Sequence, residues 1–281
     1  MTAPTVPTEV RDSIVGVALA AGGANVIMQL ARKPVGYGVA LSAVDSGRVD
    51  KHPIKRLRTT TAFLVITVLG TERERRQLRE EINRAHRHVR SAPTDAVQYN
   101  AFDPHLQLWV AACLLQGAVD VATRLHGRRL EPDELEAMYQ FGKRLGSDLQ
   151  VPDQLWPADH AGFEQYWAEG VSQIEMDDLT RSYLTTVADV SFLVAPLGRL
   201  GAPLRPLLRR AGRFMTLGFL PEPFRQELGL PWSARQQRAH DRVFGALFAI
   251  SARLPRLLRE FPLNVYLWET RRRLRRGKPV V

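Results

Sequence analysis

His86 and His88 stand in a cationic stretch, Asn83-Arg84-Ala85-His86-Arg87-His88-Val89-Arg90, which holds the densest set of candidate ligands in the chain. A neutral imidazole binds metals, and two histidines at i and i+4 of a helix can share one ion. These two are at i and i+2, so on a helix they point to nearly opposite faces and at most one looks inward. Arg90 lies one turn beyond His86 and Arg87 beside it. Guanidinium groups so placed can pair with the carboxylates of an acidic cofactor such as haem. The same residues suit a helix end, where cations complement the helix dipole. Residue types alone leave both readings open and favour the helix end.

Arg56 and Thr60 form a second pair, one turn apart at the head of the apolar run Ala62-Phe63-Leu64-Val65-Ile66. A buried arginine beside a hydroxyl can donate hydrogen bonds to an anion or to dioxygen. A threonine in a first turn more often bonds backbone carbonyls. No other chemistry is visible. The chain has no Gly-x-Gly-x-x-Gly after a strand, no P-loop, no His-Glu-x-x-His, no Gly-x-Ser-x-Gly and no Cys-x-x-Cys. Asp177 and Asp178 sit at a helix start, where acids favour the dipole, and His105 and His240-Asp241 stand isolated.

The elements that must carry these residues read as helices throughout. Asp12-Ser13 supplies an N-cap for a helix to about Lys33, stopped by Pro34. Its glycines, Gly16, Gly22 and Gly23, admit close packing of another backbone or a flat ligand. A short helix spans about 38–44, and a strong one runs from Ile54 to Leu69, ending at Gly70. Thr71 and Glu74 form a capping box for the helix that carries His86. Asp103-Pro104 opens another, with the apolar stripe Leu106, Trp109, Val110, Cys113 and Leu114, and Gly127 closes it. Further helices are expected over 131–143, 161–170, 177–187, 204–219, 233–252 and 255–275. No sustained period-2 pattern with hairpin turns occurs, so the fold class is all-α: a single large helical domain enclosing a pocket. Residues 1–10 read as a flexible arm, 11–270 as the domain and 271–281 as a basic C-terminal tail.

With 281 residues, 45% hydrophobic and 24% charged, the chain can bury a real core. A lone cysteine, Cys113, excludes an intramolecular disulfide and every multi-cysteine metal site. Of the net charge of +10, the stretch from Arg253 to Val281 supplies +7, through nine Lys or Arg against Glu260 and Glu269. That distribution argues against a specific nucleic-acid partner and leaves a solvated tail able to touch an acidic membrane surface. The longest weakly polar run, Ile14 to Ala24, falls short of the ~20 residues of a membrane span, and the N-terminus is unlike a signal peptide. A cytoplasmic protein, peripheral to the membrane at most, is expected.

The order of these features resembles the haem oxygenases of the latex-clearing protein and MpaB type, the rubber oxygenase catalytic-domain family. The resemblance runs from Val26-Ile27-Met28-Gln29-Leu30-Ala31 through Pro34, Gly38, Arg56-Leu57-Arg58-Thr59-Thr60, Leu69-Gly70-Thr71 and His86-Arg87-His88-Val89-Arg90. It continues over Tyr99-Asn100-Ala101-Phe102-Asp103-Pro104-His105-Leu106 to Trp109-Val110 and weakens after about residue 235. It implies an α-helical fold around one haem b, with His86 as the axial ligand of the iron and Arg56 and Thr60 as the catalytic residues of the distal oxygen pocket. Arg87 and Arg90 would join His86 in holding the cofactor. Three positions depart from the family: Thr59 replaces the lysine of the rubber-cleaving enzymes, Ala111 replaces a histidine common after Trp-Val, and only Asp45 is available for the upstream carboxylate. The expected function is haem-dependent oxygenation of an apolar, isoprenoid or lipid-like substrate with dioxygen, by oxidative cleavage of a carbon-carbon double bond or a related reaction. The alternatives are a non-catalytic haem carrier or sensor, and a helical interaction protein with a basic C-terminal surface.

Overall fold

The computed structural model describes residues 5–41, 52–190 and 205–280, so Asp45 lies outside the described residues. Among those described, every regular element is helical and the one β-type contact is an isolated bridge between Arg90 and Asn100. Capping signals set many boundaries. Helix α4 (Pro53–Leu69) starts on a proline, whose missing N–H costs nothing in a first turn. Helix α5 (Glu72–His86) opens on the Thr71/Glu74 capping box, with Thr71 N–H donating to Glu74 Oε2 at 2.9 Å and Glu74 N–H to Thr71 Oγ1 at 3.3 Å. Helix α6 (Pro104–His126) is capped by Asp103 and stops at Gly127, whose φ of 66° is left-handed. Helix α7 (Pro132–Asp148), α8 (His160–Ser172), α9 (Asp178–Ala188), α10 (Arg205–Phe219) and α12 (Ala234–Arg253) follow close to the expected places.

The differences have local causes. The helix expected from Asp12-Ser13 to Lys33 divides into a 3₁₀ stretch (Gly16–Ala21) and α2 (Gly22–Leu30), and Asp12 ends a short helix, α1 (Thr8–Asp12), where it was expected to cap one, so residues 8–10 of the expected arm are helical and Val10 is buried. Gly16 opens the 3₁₀ stretch where a Cβ would run into the carbonyl oxygen of Phe261, so only glycine lets the two backbones pass. Gly23 faces Thr216, and packing is what these two glycines serve. Pro34 does not end a helix but sits in the first turn of α3 (Lys33–Ala40). Helix α11 (Glu222–Leu228) was not expected; its seven residues are too few for a periodic pattern to emerge. The last expected helix divides at Phe261-Pro262 into α13 (Arg256–Arg259) and α14 (Leu263–Arg275). Arg271 to Arg275, assigned to the tail, are thus the end of a packed helix: Arg271 donates to Glu74 and to the carbonyl of Leu69, and Leu274 is buried.

Helix α6 organises the interior. It is buried on several sides, giving Leu108, Ala111, Ala112 and Leu115 to a core shared with α4, α5, α7 and α8, and Trp109, Cys113, Val121 and Leu125 to a second core shared with α2, α9, α10 and α12. By length and composition α6 alone among the described helices of 18 residues or more could cross a membrane. Its packing against α1, α2, α7 and α12, with Ala111, Ala112 and Cys113 wholly buried, identifies it as a core helix. Beneath α4 and α5, the Asp148 carboxylate accepts from Arg75 at 2.8 and 3.0 Å and from Thr67 Oγ1 at 2.8 Å, tying α4, α5 and α7 together through a buried ion pair.

Candidate functional site

The N-terminal half of α4 presents Arg56, Thr59, Thr60 and Phe63 along one face, and the C-terminal half of α5 presents Ile82, Ala85 and His86. Both sets follow the i, i+3, i+4 spacing of a single helical stripe. The two stripes meet across a cavity that offers about 230 Å³ to water-sized molecules. Its other walls come from Gln29 and Leu30 of α2, Val35, Gly38 and Val39 of α3, Leu106, Gln107, Val110 and Leu114 of α6, and the segment Tyr99–Asn100–Ala101.

His86, Arg56 and Thr60, which lie up to 30 positions apart in sequence, therefore share one chamber. His88 lies in the turn beyond the end of α5 and is exposed. Burial first, and then the positive charge of Arg56, push the His86 pKa down to about 4. The imidazole is neutral at physiological pH, with a lone pair to offer. Its ring makes no hydrogen bond to a described residue. Arg56 keeps some accessible surface, yet it is deep in protein and burial lowers its pKa; the two facts agree because what remains accessible lies on the cavity wall. Among the described residues its guanidinium has no carboxylate partner, and the Thr60 hydroxyl likewise makes no hydrogen bond. Thr59 differs: its Oγ1 donates to the Arg56 carbonyl at 3.1 Å, the back-bonding usual for threonine within a helix.

Arg87 and Arg90 are exposed and off the wall. The reason is that α5 ends at His86: Val89 N–H donates to the His86 carbonyl at 2.9 Å, the chain turns, and the wall receives Val89 where a continued helix would have placed Arg90. The cation at the cavity beside Arg56 is instead Lys55. Ala111 is wholly buried in the core and not on the wall. Sequence reasoning also missed Gln29, Tyr99 and Gln107 as wall residues. Phe63 and Ile82 were open to inference, being i+3 from Thr60 and i−4 from His86. Gln29 and Tyr99 arrive from distant elements. The Tyr99 ring is seated against Gly38, where a Cβ would approach it to 3.3 Å.

The donor set favours one kind of metal group. Among the described residues no three of His, Cys, Asp or Glu converge to hold an ion. A metal at His86 must then bring most of its own ligands, as a porphyrin does. Apolar walls, a neutral imidazole, and Lys55 and Arg56, which have no carboxylate partner among the described residues, suit haem, a flat apolar ring with two carboxylates.

A model of the family described as "ER-bound oxygenase mpaB/B'/Rubber oxygenase, catalytic domain" matches residues 12–250. Two curated relatives are each 44% identical over 258 residues, covering 92% of this chain and 98% of their own: Uncharacterized protein Mb2261 of Mycobacterium bovis and Uncharacterized protein Rv2237 of Mycobacterium tuberculosis. No solved structure matches the chain. The chain belongs to this family of oxygenase catalytic domains.

Proposed function

We propose that this member of the MpaB and rubber oxygenase catalytic-domain family binds haem b through His86 Nε2 and oxygenates an apolar, unsaturated substrate of isoprenoid or lipid type. One observation carries the reading: a neutral imidazole, a guanidinium with no carboxylate partner and a hydroxyl with no hydrogen bond among the described residues face a single apolar cavity. Haem bound there supplies the activation of dioxygen and the redox chemistry of carbon-carbon double-bond cleavage or a related oxygenation.

The chain's own residues would act in three ways. His86 holds the cofactor, and its low pKa keeps protons from competing for the lone pair. Arg56 and Thr60 donate hydrogen bonds toward oxygen, and the desolvated guanidinium stabilises negative charge that develops beside it. Phe63, Ile82, Val110 and Leu114 exclude water and give an apolar chain its seat.

A second reading, haem carriage or sensing without turnover, is favoured by one observation: among the described residues no carboxylate lines the cavity that could serve as a general base. One experiment addresses both. Protein purified with haem supplied should show a Soret band that shifts or disappears in His86→Ala. An unchanged spectrum in that variant overturns the ligand assignment. Oxygen uptake with a carbonyl product from a polyunsaturated isoprenoid supports the oxygenase, whereas ligand exchange at the haem without product supports the carrier.

A further inference from the structure

Helix α12 is held to the body by a narrow stripe, His240, Phe244, Phe248 and Ser251, and most of the rest of its surface is open. Yet from Val243 to Ala252 it carries no charged residue. A helix this apolar is ordinarily enclosed by protein. Here Val243, Leu247, Ile250 and Leu254, at i, i+4, i+7 and i+11, form an exposed apolar stripe beside the buried one. The stripe leads into α13, whose Leu257 and Leu258 are 76% and 61% exposed, and on to Phe261 at 61% and Trp268 of α14 at 56%. Single exposed apolar residues are normal, but a contiguous band over three consecutive helices marks an interaction surface.

The charge around this band selects its partner. Between Arg242 and Lys278 the only acidic residues are Glu260 and Glu269. Glu260 is bound by Arg11 and Arg256, and Glu269 by Arg58 and Arg273. Arg253, Arg272, Arg275 and Arg276 are exposed and have no acidic partner among the described residues. A second copy of this chain would bring the same arginines against them and be repelled. A nucleic acid would answer the arginines but not the leucines. A bilayer with anionic headgroups answers both, taking apolar side chains into the acyl boundary and basic ones at the headgroups.

We propose that the α12–α14 face docks on an anionic lipid bilayer, with Leu257, Leu258 and Phe261 entering the acyl boundary and Trp268 at the headgroup level. This assignment is independent of haem and of turnover. It replaces the loose basic tail with a folded surface. Through the Arg58–Glu269 ion pair, α14 is joined to α4, the helix that carries Arg56 and Thr60.

The test is sedimentation of the full chain with vesicles of phosphatidylglycerol and phosphatidylcholine, against pure phosphatidylcholine. Binding is expected to the anionic vesicles alone and to weaken with salt. Arg253→Glu with Arg275→Glu should lower the partition coefficient by at least roughly 30-fold, at ~1 kcal/mol lost per arginine. Leu257→Asp with Leu258→Asp should abolish binding while the thermal melt is unchanged, because both side chains are exposed. The blue shift of tryptophan fluorescence on vesicles should vanish in Trp268→Phe. No binding to anionic vesicles overturns the proposal, as does binding indifferent to the leucine pair. Two further results also overturn it: a stable dimer in light scattering that the leucine substitutions dissociate, and RNA retention that needs the arginines but not the leucines.

Discussion

His86 and Arg56 are coupled by charge and burial, and each leads to a prediction of its own. In haem-free protein the folded state keeps His86 neutral down to about pH 4, whereas the unfolded chain protonates it near its ordinary value of about 6.5. The unfolded state therefore takes up the proton first as pH falls. Stability from this group is intact above pH 6.5 and is lost between there and about pH 4, by up to about 3 kcal/mol. Chemical unfolding of the haem-free parent and His86→Gln across that range should give curves that diverge in this window and run parallel above it. Arg56 is a buried cation without a carboxylate among the described residues, so Arg56→Met should raise the melting temperature while lowering turnover by about 10²-fold. A lower melting temperature would show that the guanidinium is structural. Thr60→Val tests the neighbouring donor: turnover should fall, and the Soret band should persist.

At the scale of elements, the position of His86 depends on how α5 is held. The Asp148 carboxylate, buried between Arg75 and Thr67, fixes α5 to α4 and α7. Asp148→Ala leaves Arg75 buried without its main partner and should cost about 3–5 kcal/mol, measured by urea denaturation. At the other extreme Thr71→Ala removes one half-buried cap and should cost about 1 kcal/mol. Capping chemistry explains why α4, α5 and α6 were legible from sequence: Pro53, the Thr71/Glu74 box and Asp103-Pro104 act within one turn of the residues they govern. The end of α5 was not legible. Continuing to Arg90 satisfies the same local preferences as stopping at His86, and the backbone pairing of Val89 and Ser91 with Ala101 and Tyr99 decides it.

On the scale of the whole molecule, the family match ends at residue 250, but the packing does not. Helix α14 lies against α4, buries Leu263 and Leu274, and is tied by Arg58–Glu269 and Arg271–Glu74. A chain ending at Ile250 would expose that side of α4, the helix that carries Arg56 and Thr60. Its melting temperature should drop by several degrees or its unfolding lose cooperativity, read by circular dichroism. A melt equal to the parent's would mean that residues 251–281 are dispensable to the core.

Much of this protein was determined by its sequence alone, because helix period, caps and breakers act over a few residues: the all-α class, most helix positions, and the stripe of Arg56 and Thr60. The order of short motifs from Gln29 to Trp109 indicated the family. Tertiary structure decided what depends on residues distant in sequence. It brought His86 to Arg56, seated Tyr99 and Gln29 on the same wall, and turned Arg87 and Arg90 away from it. It lowered the His86 pKa, since desolvation is a property of the surrounding protein and not of the residue. It also moved the candidate membrane contact from a basic tail to the α12–α14 face, because only packing shows which apolar side chains are left uncovered.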